Sequence, residues 1–122
     1  MLYAGIDIVE ISRIHKAIEE WGDRFLKRIY TSYELEDCRW NIPSLAARFA
    51  AKEATMKALN NYDRSIKFTD IEVIREPGGK PVLRLYNTAA TRARNMGINC
   101  LAVSLSHSKE NAVAIVVGES KK

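Results

Sequence analysis

Residues 44–59, Ser-Leu-Ala-Ala-Arg-Phe-Ala-Ala-Lys-Glu-Ala-Thr-Met-Lys-Ala-Leu, constrain this chain more than any other stretch. Alanine and the unbranched Leu, Met, Lys, Glu and Arg are the strongest helix formers. Pro43 suits a first helical turn, and Asn60, Asn61 and Asp63 supply the turn that ends it. The resulting helix, from about Ser44 to Leu59, carries Ala46, Ala47, Ala50, Ala51, Ala54 and Ala58. These small side chains leave its surface low, so a strand or a ligand backbone can approach closely. At about 3.6 residues per turn, Phe49, Glu53 and Lys57 form one stripe, with Arg48 and Lys52 on a neighbouring stripe. The helix alone leaves two readings open. One is a solvated charged face, with Glu53–Lys57 as an i,i+4 pair worth about 0.3–0.5 kcal/mol. The other is a cluster of cations and a carboxylate arranged for a phosphorylated ligand.

Around this helix the pattern predicts a short buried strand over Leu2–Val9, ending near Glu10. A helix follows over Ser12–Glu20, broken by Gly22, and a second over Asp23–Ile29. Thr31 with Glu34 three residues on predicts a capping box opening a third, Ser32–Arg39. Ile66–Arg75 reads as a strand, Pro77-Gly78-Gly79-Lys80-Pro81 as a turn, and Val82–Leu85 as the strand that completes a hairpin. Thr88–Met96 is helical up to Gly97. Strands over Cys100–Ser106 and Ala112–Val117 flank the turn 108–111. The class is α+β, a single domain over 1–118 with helices in the first half and a mainly antiparallel sheet. Residues 119–122 read as a frayed tail.

Composition narrows the function. At 122 residues the chain suits one domain with a modest core, which a shared subunit interface would supplement. The hydrophobic share of 47% and charged share of 28% exclude a disordered chain. No apolar run approaches the roughly 20 residues of a membrane span, and the start lacks a charged region followed by an apolar signal core, which points away from secretion. Cys38 and Cys100 are far apart without metal-type spacing and fit reduced thiols in a cytoplasm. A net charge of +4 favours acidic partners: nucleic acid, phosphorylated metabolites or an acidic protein.

Asp7 is the oddity of the first strand. A carboxylate in an apolar run must be hydrogen-bonded, paired or metal-bound, because a bare buried charge is strongly penalised; capping the next helix is its plain alternative. Asp7 and Glu53, on different elements, are the kind of pair that holds Mg²⁺ with positions left for water and phosphate oxygens. Lys57, Lys52 and Arg48 would neutralise the same phosphates. His107 ends an apolar strand among Ser104, Ser106 and Ser108, where it can donate to an anion; His15 reads as structural. Gly78–Pro81 lacks Walker spacing and joins strands, so a hairpin turn with an exposed Lys80 is its plain reading. The basic set Arg13, Lys16, Arg24, Lys27 and Arg28 suggests a docking surface. Glu19, Glu20 and Asp23 dilute it, and no aromatic interleaving supports nucleic-acid stacking.

In order along the chain stand Gly5-Ile-Asp7-Ile-Val-Glu-Ile-Ser-Arg-Ile14, Phe25-Leu-Lys-Arg-Ile-Tyr-Thr31, Arg48-Phe-Ala-Ala-Lys-Glu-Ala54 with Lys57, Asp70-Ile-Glu-Val73, Gly79-Lys-Pro81 and Ser104-Leu-Ser-His-Ser108. This series resembles the holo-acyl-carrier-protein synthases, the small bacterial-type 4′-phosphopantetheinyl transferases, over essentially the whole chain. The resemblance implies a compact α+β homotrimer with its active site between subunits. It implies transfer of the 4′-phosphopantetheine arm of coenzyme A to a serine of apo acyl carrier protein, releasing 3′,5′-ADP in support of fatty acid biosynthesis. By motif, Asp7 and Glu53 become Mg²⁺ ligands and Lys57 a neighbour of the pyrophosphate. Arg48, Lys52 and His107, with Lys80, Ser106 and Ser108, become contacts of the coenzyme. Glu53, or a water it orients, becomes the base. The basic first helices become the surface that receives the acidic carrier, which suits a modest patch. One departure stands out: the family usually carries a glycine-rich turn after the long helix, and residues 60–67 contain no glycine, so Tyr62 or Arg64 must substitute or the loop must move. Two rival readings are a diverged transferase acting on a polyketide or peptide carrier, and a basic binding module without catalysis.

Overall fold

The computed structural model describes residues 1–121; Lys122, at the end of the expected frayed tail, lies outside them. The elements run β1 (Leu2–Glu10), α1 (Ile11–Trp21), α2 (Asp23–Ile29), α3 (Ser32–Cys38), α4 (Ile42–Ala58), a 3₁₀ turn (Phe68–Asp70), β2 (Ile71–Arg75), β3 (Pro81–Leu85), α5 (Asn87–Asn95), β4 (Ile98–His107) and β5 (Asn111–Ser120). The α+β class expected from the pattern is the one found. α4 begins before Ser44 because Asn41 Oδ1 accepts the Ser44 N–H at 3.0 Å and Pro43 occupies the first turn. The Thr31–Glu34 capping box is present, and Gly22 separates α1 from α2 at a φ of 53°.

The alanine face of α4 packs on an antiparallel sheet ordered β1-β5-β4, and Ala46, Ala50, Ala51, Ala54 and Ala58 are buried there with Val9, Ala112, Ala114 and Val116. Gly5 sets the closeness of that packing. A Cβ at Gly5 would lie 2.0 Å from the Ala54 carbonyl oxygen and 2.9 Å from the Ala58 nitrogen. No side chain fits there, so β1 and α4 meet nearly backbone to backbone. Register then fixes which side chains face the helix: Gly5 pairs with Val116, and Asp7 with Ala114, so these point inward.

The alternate residues point outward, and here the expectation of a buried first strand is corrected. Ile6 is 59% exposed, Ile8 65% and their row-mate Ile115 43%. Strand periodicity sends every second residue to a face that no element of the described chain covers.

A second sheet is the β2–β3 hairpin, closed by a turn with Gly79 at a φ of 92°. The single strand expected over Ile66–Arg75 is instead a 3₁₀ turn followed by β2. Asp70 causes the break: its carboxylate accepts the Lys67 N–H at 3.1 Å and the Asn87 side-chain amide at 3.2 Å, and this local capping competes with ladder pairing. Leu59, Ile66, Ile71, Ala89 and Ala93 form a smaller core under α5. The frayed tail is also corrected, because β5 continues through Glu119 to Ser120, whose hydroxyl donates to the Met96 carbonyl at 3.0 Å.

Candidate active site

Gly5 brings β1 against α4 and thereby delivers Asp7 to the Glu53–Lys57 stripe. Lys57 Nζ donates to Asp7 Oδ1 at 3.1 Å and to the Ile6 carbonyl at 2.9 Å. Glu53, one turn earlier on α4, is half-buried. Burial pushes its carboxyl above the ordinary range, the negative charge of Asp7 adds to the rise, and Lys57 opposes it. Two carboxylates from separate elements therefore share one patch, partly neutralised by a single ammonium. That donor set fits a hard divalent cation. Among the described residues no group of three or more His, Cys, Asp and Glu forms a fuller cage. The remaining ligands would be water and substrate oxygens, as Mg²⁺ prefers.

A cleft of about 890 Å³ opens beside this patch, with Lys27 and Arg28 of α2 on one side and Arg64 and Lys67 of the 60–67 loop also lining it. Met56, Ile66 and Phe68 supply apolar surface. A lining that mixes these cations with apolar side chains suits a ligand that joins phosphates to an uncharged chain. Lys67 is a lining residue that sequence reasoning missed, because nothing in its local pattern distinguishes it from a solvated loop lysine. Of the basic set, Arg13, Lys16 and Arg24 are exposed on α1 and α2, while Lys27 and Arg28 carry that surface to the edge of the cleft.

The expected coenzyme contacts divide. Arg48, Ser106 and His107 come together in a second, smaller cleft of about 240 Å³, with Ser44, Arg75 and the hairpin turn. Lys80 is exposed between Gly79 and Pro81, which line this cleft. Arg48 is 4% exposed, and its guanidinium donates to Asp37 Oδ2 at 2.5 Å, the Glu34 carbonyl at 3.2 Å and Cys38 Sγ at 2.7 Å. The hydrogen bond from Arg48 is the main reason the Asp37 carboxyl sits below its usual range. Ser108 is engaged in its turn, its hydroxyl accepting the Asn111 N–H at 3.2 Å.

Lys52 is the clear correction. It is fully buried, paired with Glu34 Oε1 at 2.5 Å and donating to the carbonyls of Ile29, Phe68 and Ile71 at 2.8, 3.1 and 2.7 Å. Glu34 also accepts the Thr31 and Val73 N–H groups at 3.0 and 2.8 Å. Lys52 therefore joins α2, α3, α4 and β2 inside the domain and does not reach a phosphate. Burial pulls its pKa down, opposed chiefly by Glu34.

The chain matches the model of the 4′-phosphopantetheinyl transferase superfamily over residues 3–116. It is 49% identical over 119 residues to the holo-[acyl-carrier-protein] synthase of Dehalococcoides mccartyi, covering 98% of this chain and 99% of that protein. Identity to the synthase of Herpetosiphon aurantiacus is 45% over 125 residues, covering 97% and 98%. Among solved structures, the Helicobacter pylori holo-[acyl-carrier-protein] synthase in complex with coenzyme A superposes with a TM-score of 0.86 at 33% identity, covering 95% of this chain and 99% of that one. The Bacillus anthracis synthase in complex with CoA (3′,5′-ADP) does so with a TM-score of 0.79 at 37% identity, covering 98% and 96%. With this likeness along nearly its full length, the chain belongs to the holo-[acyl-carrier-protein] synthase family of 4′-phosphopantetheinyl transferases.

Proposed function

We propose that the protein is a cytoplasmic, Mg²⁺-dependent enzyme that moves the 4′-phosphopantetheine arm of coenzyme A to a serine hydroxyl of an apo acyl carrier protein, releasing 3′,5′-ADP, in support of fatty acid biosynthesis and lipid metabolism. The observation that carries this reading is the meeting of Asp7, Glu53 and Lys57 at a cation-lined cleft. That relatives have been solved with coenzyme A supports the choice of donor.

In the transfer, the serine oxygen forms a bond to the β-phosphorus as the bond from that phosphorus to the departing 3′,5′-ADP breaks. The serine proton leaves in the same event. We assign its uptake to Glu53, directly or through a water it orients, since Glu53 lies on the same α4 stripe as Lys57 and lines the cleft. Lys57 is oriented by Asp7 and the Ile6 carbonyl while remaining 55% exposed, so it can counter the charge that grows on the leaving group. Mg²⁺ held by Asp7 and Glu53 would add electrostatic stabilisation at the pyrophosphate oxygens. Met56, Ile66 and Phe68 would lay apolar surface against the bound substrate. Arg13, Lys16, Arg24, Lys27 and Arg28 receive the acidic carrier, steering its approach more than tightening its hold.

Assembly as a homotrimer completes the reading. The bare outer face, with Ile6, Ile8 and Ile115, is the surface we assign to contact between copies, since apolar patches of this kind mark interfaces. The second cleft, with Arg48, Ser106 and His107, would then meet the nucleotide of coenzyme A seated on a neighbouring copy.

A second reading, a transferase for a polyketide or peptide carrier, is favoured by the glycine-free 60–67 loop at the cleft. One experiment separates the possibilities: incubation with coenzyme A, Mg²⁺ and a panel of apo carriers, followed by intact mass. Phosphopantetheine addition mainly to the fatty-acid carrier supports the first reading, and preference for another carrier supports the second. Addition to none would leave a basic binding module.

A further inference from the structure

The loop leaving α4 turns without glycine, yet Asn60 and Arg64 hold left-handed φ values of 54° and 57°. Residues with a Cβ enter that region at a penalty, so something must hold the loop there. Arg92 of α5 does so. Its Nη1 donates to the carbonyls of Leu59 at 3.1 Å and Asn60 at 2.9 Å. Its Nη2 donates to both Asp63 carboxylate oxygens at 3.0 and 2.9 Å and to Ser65 Oγ at 3.2 Å. Asp63 in turn accepts the Ser65 N–H at 3.2 Å and hydroxyl at 2.9 Å. Those bonds, led by Arg92, hold the Asp63 carboxyl down at about 2. α5 is itself anchored, since Ala89 and Ala93 are buried against Leu59, Ile66 and Ile71. The clamped segment carries Asn61, Tyr62 and Arg64, which line the cleft beside Glu53 and Lys57.

We propose that Arg92 is a positioning residue for the phosphorylated nucleotide substrate: by clamping residues 59–65 it presents Tyr62 and Arg64 as a preformed wall of the cleft. The inference rests on the proposed use of coenzyme A. A preformed wall spares the substrate the entropy of ordering the loop, so the effect falls on substrate affinity and little on the chemical step. The guanidinium geometry matters as well as its charge, because one fork reaches backbone carbonyls and a carboxylate together.

The test compares the full-length wild type with Arg92→Ala, Arg92→Lys and Asp63→Asn. Coenzyme A binding is measured by calorimetry, KM and kcat by carrier modification, and amide exchange over residues 60–66. For Arg92→Ala we expect affinity to fall and KM to rise about tenfold, with kcat within about twofold. Exchange in 60–66 should quicken and slow again when coenzyme A binds, and Arg92→Lys should recover part of the loss. Asp63→Asn, which keeps both carbonyl bonds, should show a smaller rise in KM, and it carries the test if Arg92→Ala fails to fold. Wild-type affinity in Arg92→Ala, or equal loss in kcat and affinity, would overturn the clamp and leave the proposed transfer standing. A wild type that binds coenzyme A but modifies no carrier would overturn the transfer and leave the clamp to be judged by affinity and exchange.

Discussion

Replacing Lys52 with methionine tests the buried network directly, since Met keeps the length of the side chain and removes its charge. In the native protein the ammonium pairs with Glu34 and serves the carbonyls of Ile29, Phe68 and Ile71. After the substitution Glu34 keeps the Thr31 and Val73 N–H donors but loses its counter-charge, and each of the three carbonyls loses a donor. Removing one member of a buried ion pair costs about 3–5 kcal/mol. The stranded carbonyls overlap with that figure, so they are not added to it. Against a domain stability of about 5–15 kcal/mol, this is a large fraction. Urea unfolding of wild type and Lys52→Met at one fixed protomer concentration would read the difference, because the proposed assembly of copies would also contribute to apparent stability. In the double variant Lys52→Met with Glu34→Gln, the loss should be smaller than the sum of the two single losses. The reasoning is refuted if Lys52→Met loses less than about 1 kcal/mol while its coenzyme A affinity drops, for then the lysine reaches the ligand after all.

Three further outcomes are expected. Gly5→Ala should destabilise the fold by about 1–3 kcal/mol or more through overpacking and depress turnover further by moving Asp7 from Glu53; a stable, fully active variant would contradict the backbone contact at Ala54. The Asp63 carboxyl is lowered from 3.8 to about 2 in the folded protein, so its stabilisation is complete above about pH 4 and is lost as pH falls toward 2. Unfolding of wild type and Asp63→Asn across that range should therefore show a gap that narrows with acid, and a constant gap would exclude the pairing with Arg92. Charge reversal by Arg13→Glu with Arg24→Glu should raise KM for the carrier, more at low salt than at high, with coenzyme A affinity preserved; steady-state kinetics at two ionic strengths would show an unchanged KM if the docking surface lies elsewhere.

Where a residue's local neighbours decide its conformation, the sequence was enough. Thr31 and Glu34 cap each other within one turn, Gly22 separates two helices, and Pro77–Pro81 closes a hairpin. Asp7 was legible as a misfit in an apolar strand. What periodicity cannot supply is the identity of the neighbour across a helix face. Arg48 and Lys52 share a stripe that resembled a solvated cationic edge, yet α3 and β2 cover it and bring Glu34 and Asp37 to meet the charges. Ile6 and Ile8 show the opposite failure, because apolarity alone does not distinguish a face covered by the chain's own helix from one left bare. Gly5 was visible as part of a motif, but its reason is the carbonyl of Ala54, far away in sequence, which no local rule contains. Lys67 lies on, and Arg92 bonds to, a segment whose path depends on tertiary contacts.

The most direct test of the central claim is single-turnover transfer of phosphopantetheine from coenzyme A to apo acyl carrier protein by Asp7→Ala and Glu53→Ala, at saturating Mg²⁺ and with folding confirmed by circular dichroism. The account predicts that each variant stays folded and loses transfer by about a thousandfold or more, the scale expected when charge stabilisation at a reacting phosphate is removed. Wild-type transfer rates in either variant would contradict the assignment of the chemistry to the Asp7–Glu53–Lys57 site.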